Sequence, residues 1–89
     1  MKIEFIGPAV KAEDDGVLFL ARVDGRNVQC HFTYEALEDI DPDSLQDDPI
    51  AQFESHQLKL LSIAEAKLLK GLAIGDRLGV YTNDLRLDE

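Results

Sequence analysis

Apolar and polar positions alternate most clearly in two parts of the chain. From Lys2 to Ile6, Ile3 and Phe5 fall on one side and Lys2 and Glu4 on the other. That is a short strand, ended by Gly7-Pro8. From Val17 to Phe32, two strand-like runs flank Asp24-Gly25, a favoured pair for a tight hairpin turn. A two-residue loop sets Ala21 opposite Val28, Phe19 opposite Cys30 and Val17 opposite Phe32. A four-residue loop sets Val23 opposite Val28, Ala21 opposite Cys30 and Phe19 opposite Phe32. The two registers differ by two, so both keep Val17, Phe19, Ala21, Val23, Val28, Cys30 and Phe32 on one face. Leu18, Leu20, Arg22, Asn27, Gln29 and His31 take the other. Ala9 to Gly16 carries no clear pattern and closes on a turn at Asp15-Gly16. Leu78 to Tyr81, after a turn at Gly75-Asp76, reads as a last strand, with Leu85-Arg86-Leu87 ending the sheet or fraying.

The helical signals lie between these strands. Thr33 is a good N-cap for a short helix over Tyr34 to Ile40, stopped by Pro42. Asp48 is a good cap for a second helix, with Pro49 at its first position and Gly71 past its end. At helical pitch, Ile50, Phe53, Gln57, Leu60, Leu61, Ala64 and Leu68 form one apolar stripe about 100° wide. Gln52, Ser55, His56, Lys59, Lys67 and Lys70 occupy the opposite side. Unbroken, residues 49–70 would make a helix about 33 Å long, running along one sheet face. The pattern therefore predicts an α+β fold: a small, mostly antiparallel four-stranded sheet with one short and one long amphipathic helix packed on one face. It predicts a single domain over residues 1–89, with Phe19, Cys30, Phe32, Phe53, Leu61, Ala64 and Leu68 in the core.

Composition narrows the setting. The chain is 45% apolar and 30% charged, within the range of ordinary folded domains. Its apolar runs are far short of the roughly twenty residues that a membrane-spanning helix needs. The N-terminus lacks the basic start and long apolar run of a signal peptide, and the lone Cys30 cannot form an internal disulfide. A reduced, cytoplasmic protein is the expectation. The net charge of −9 is concentrated in residues 35–54, which hold eight acids and no base. That field repels nucleic-acid phosphates and anionic lipid, and it favours a basic partner.

Few residues suggest chemistry. Cys30 and His31 are neighbours on a strand, so they point to opposite faces and cannot readily act as a pair. Cys30 reads as a core residue. His31 and His56, the two histidines, show no metal-ligand spacing and read as partly exposed side chains. Asp39, Asp41 and Asp43 alternate as a calcium loop begins, but Ser44 and Ile50 stand where Gly and Glu are needed. Phosphate-binding glycine loops, serine elbows and spaced cysteine pairs are absent. No catalytic, cofactor or metal residue is assigned, and the protein is expected not to be an enzyme.

The hairpin Val17 to Gly25 with Val28-Gln29-Cys30 is one part of a wider resemblance. The others are Thr33 to Asp39, Phe53 with His56, Ile63-Ala64 and Val80 to Leu85. Together they resemble a small uncharacterised bacterial family, the domain of unknown function 1488. The resemblance implies a compact α+β domain and carries no activity. Such sequences often place a basic residue after the position of His56, where this chain has Gln57. That departure weakens a reading of His56 as the start of a basic patch.

The expectation is a non-enzymatic accessory or interaction protein. Its acidic surface, Glu35, Glu38, Asp39, Asp41, Asp43, Asp47 and Asp48, would contact a basic protein or a second copy. The alternative contact is His56, Lys59, Lys67 and Lys70, which with Arg22 would suit a nucleic-acid-linked regulator. A small enzyme using His31 or His56 is the other alternative.

Overall fold

Asp24 and Gly25 both adopt positive φ, 51° and 85°, as a two-residue type I′ turn requires. The turn sets Val23 opposite Arg26 and fixes the two-residue register, with Phe19 facing Cys30 and Val17 facing Phe32. This hairpin, β3 (Val17–Val23) and β4 (Arg26–Phe32), is the centre of the sheet. The computed structural model describes residues 1–43 and 48–86. Expectations for Asp47 and Leu87 lie outside the described residues.

The strand predicted at the N-terminus is β1 (Ile3–Phe5), antiparallel to β3. The stretch without a clear pattern supplies β2 (Val10–Lys11), which pairs with the other half of β3. β1 and β2 thus share one edge of β3, on either side of the cis Gly7-Pro8 bond. After β4 come α1 (Tyr34–Ile40), α2 (Pro49–Ser55) and α3 (Gln57–Leu69), then β5 (Arg77–Val80) and a 3-10 turn, Thr82–Arg86.

Two expectations are corrected. The sheet is mixed, five-stranded among the described residues, because β5 runs parallel to β4, Gln29 beside Arg77 and Phe32 beside Val80. A parallel neighbour requires a long crossover, and the helical segment between β4 and β5 provides it. The long helix is two helices, joined at His56 with φ −127° and ψ 25°. Neither Gly nor Pro marks the joint. Several contacts draw the two helices apart there. The Gln52 amide donates to Leu37 O at 2.9 Å, which ties α2 to α1. The Ser55 hydroxyl donates to Ala51 O at 3.0 Å, a bond that competes with the helix backbone. His56 lies 3.5 Å from Asp41. Gln52, expected on the exposed side, is consequently buried.

The caps formed as expected. Thr33 Oγ1 accepts from Ala36 N at 3.2 Å, and Asp48 Oδ1 from Ile50 N at 3.0 Å. Past α3, Gly71 N donates to Leu68 O and Leu72 N to Lys67 O, the paired bonds of a glycine-closed helix end. The core joins the hairpin's inner face to Phe53, Leu60, Ile63, Ala64, Leu68, Leu78 and Val80. Phe53 sits between Phe32 and Phe19, with ring centroids 5.0 and 5.4 Å away. Of the predicted core, only Leu61 is partly exposed. No helix among the described residues is long and apolar enough to cross a membrane.

Candidate functional site

Three regions carry the candidate residues, and they lie in different parts of the fold. The acidic region starts on α1. Glu35 falls in its first turn, where the helix dipole favours an anion, but Glu38 and Asp39 fall toward its C-terminal end. There the dipole presents partial negative charge, so these carboxylates add to an unfavourable field. Glu35, Asp39, Asp43, Asp48 and Glu54 are exposed, and Glu38 and Asp41 are half-buried. Asp48 is used as the cap of α2, and α2 packs against α1. Among the described residues of this region, only Asp41 meets a basic side chain, with His56 Nε2 3.5 Å from its carboxylate. Among the described residues, Glu35, Glu38, Asp39, Asp43, Asp48 and Glu54 form no ion pair.

The predicted basic strip does not form as a continuous surface. Lys59 on α3 and Lys70 at its C-cap are exposed, but Lys67 is buried, with 7% of its surface exposed. Its ammonium reaches round the edge of β5, donates to Gly79 O and pairs with Asp84 Oδ2 at 2.7 Å. The Tyr81 ring centroid lies 5.2 Å from the same nitrogen. Asp84 Oδ2 also accepts from Tyr81 N at 2.8 Å, which closes the turn after β5. Helical periodicity alone could not place Lys67, because its partners come from a strand and turn more than ten residues away. His56 belongs to the helix joint and Arg22 to the open face of the sheet, where its Nε lies 3.5 Å from Asn27 Oδ1. The basic residues thus stand on separate faces.

The third region gathers around His31. On the sheet face away from the helices, β4 holds Gln29 and His31, and β5 sets Arg77 and Gly79 directly beside them. The loop from β2 to β3 rises over this face. His31 Nε2 donates to the Asp14 carboxylate, whose two oxygens both lie 3.0 Å away. Asp14 Oδ1 also accepts from Gly16 N at 3.0 Å. The hydrogen bond from His31, and next the one from Gly16, hold the Asp14 carboxyl below its usual 3.8. A Cβ on Gly16 would run into Phe32 O and stand 3.1 Å from both Asp14 Oδ1 and His31 Nε2, so only glycine fits beneath this pair. Between the loop, β4 and β5 lies a cleft of about 590 Å³. The turn at Asp15-Gly16 was visible in the sequence. The neighbours of His31 were not, because they depend on the parallel pairing of β5.

Cys30 is on the opposite face from His31, without solvent exposure, and burial pushes its thiol from 9.0 up to about 11. Among the described residues, no group of three or more His, Cys, Asp or Glu could hold a metal ion.

The profile of the family described as protein of unknown function DUF1488 matches residues 3–74, most of the chain. The chain belongs to the DUF1488 family. Its fold is similar to the crystal structure of a DUF1488 protein of unknown function from Shewanella loihica PV-4. The TM-score is 0.77 at 16% identity, over 88% of this chain and 90% of that one. At that identity the likeness speaks for a shared DUF1488 fold. No curated protein matches the chain.

Proposed function

We propose that this DUF1488 chain is a non-enzymatic interaction protein of the cytoplasm that receives a basic protein partner on the acidic face of α1 and α2. The observation that carries the reading is the lack of internal neutralisation there. Among the described residues, the carboxylates of α1 and α2 form no ion pair with a lysine or arginine, and Lys67 is committed to Asp84 instead. Like charges left together on a surface repel one another and raise the local negative potential. A basic partner would relieve that repulsion and be steered to this face. The separation of Lys59 and Lys70 from Arg22 weighs against the nucleic-acid reading, as does the net charge of −9.

The test neutralises four exposed, unpaired acids and spares the cap and the histidine contact: Glu35→Gln, Asp39→Asn, Asp43→Asn and Glu54→Gln in one chain. An unchanged thermal melt establishes that the fold is kept. Affinity capture should then recover basic proteins with the wild-type chain and lose them with the neutralised one. The same partners on both chains would contradict the proposal. So would a gel shift of duplex DNA by the wild-type chain at low salt.

A further inference from the structure

The open-face cleft has the size of a small-molecule site. Its volume of about 590 Å³ lies within the usual range for such sites, roughly 300–1,000 Å³. Leu18, Gln29, His31, Arg77, Gly79 and Tyr81 line it. A Cβ on Gly79 would meet the Tyr81 ring, 2.6 Å from Cζ. The glycine therefore lets the ring lie across the floor beside His31. Tyr81 nonetheless keeps 56% of its surface exposed, so an aromatic surface is offered to the cleft. Leu18, half-buried, adds apolar contact.

The polar groups are equally specific. The Gln29 side chain carries two donors and an acceptor and forms no hydrogen bond among the described residues. Arg77 is exposed and has no carboxylate partner there. Because Nε2 of His31 is given to Asp14, its other ring nitrogen remains for a ligand. The cleft carries charges of both signs: Arg77 and Glu13 line it without pairing, and Asp14 is occupied by His31 and Gly16. A strongly charged ligand would leave one of these unmatched, and an anion would also face the net charge of −9.

We propose that the cleft binds a small uncharged heteroaromatic ring of the nucleobase class, stacked on Tyr81 and read at its edge by the Gln29 amide. A glutamine amide matches the adjacent donor and acceptor of adenine. Arg77 supplies a further donor, and His31 a ring nitrogen, beside it. The inference is independent of the acidic face, which lies on other elements.

The test is an NMR titration of the full chain with adenosine, and with adenosine monophosphate and benzamidine as anionic and cationic controls. Adenosine should move the amides of Gln29, His31, Gly79 and Tyr81 saturably, and more tightly than either control. Gln29→Leu and Tyr81→Leu should each weaken binding by about ten-fold, the scale of one lost stacking or edge contact. Gln29→Leu removes an exposed side chain, so its melt should stay at the wild-type value. Absence of saturable shifts, tighter binding of either control, or wild-type affinity in Gln29→Leu would overturn the proposal.

Discussion

Cys30 and His31 are adjacent in sequence and opposite in circumstance. Strand alternation turns Cys30 into the core and His31 toward the open face of the sheet. For Cys30 the consequence is a thiol that ionises near 11 in the folded chain rather than near 9.0. The folded state therefore holds the thiol proton more tightly than the unfolded state. That stabilisation is complete below about pH 9 and is lost as pH rises toward 11, an effect of about 2–3 kcal/mol. Melts of the wild type and Cys30→Ala across this window should differ by a gap that narrows as pH rises. In the native chain the thiol should resist labelling at neutral pH and react once denatured. Labelling at the same rate in both states would place Cys30 outside the core.

Elements were legible where local chemistry specifies them. Asp24-Gly25 dictates its turn, and Thr33 and Asp48 cap the helices they precede. Other features depend on distant partners. The joint at His56 has no breaker residue and follows from contacts to Leu37 and Asp41. The direction of β5 follows from the crossover, and with it the placing of Gly79 beside His31. Lys67 belongs to this second class. By occupying Gly79 O it blocks part of the outer edge of β5, a device that discourages strand pairing with another chain. Lys67→Met should destabilise the fold by about 1–3 kcal/mol. That is less than a fully buried pair would cost, because the Asp84 side chain keeps 17% exposure. Combining it with Asp84→Leu should recover part of the loss, since no carboxylate is then left unpaired. Strictly additive losses in a double-mutant cycle would show that the pair is not coupled.

At the scale of the whole molecule, charge and shape divide the surface. The acidic excess in residues 35–54 could be read directly from the sequence, since exposed acids need no partner to be placed on the surface. The cleft could not be read, because its lining joins the loop and hairpin near the start of the chain to β5 and Tyr81 near its end. The acidic face is the basis of the proposed function, and a defined basic peptide tests it most directly. An oligolysine peptide should shift the amides of α1 and α2, including Glu35, Asp39 and Glu54. Its affinity should fall as salt rises through physiological strength, where the screening length is about 8 Å. The chain carrying Glu35→Gln, Asp39→Asn, Asp43→Asn and Glu54→Gln should show little binding. Shifts centred on other elements, or equal affinity in the neutralised chain, would contradict the assignment of this face as the docking surface.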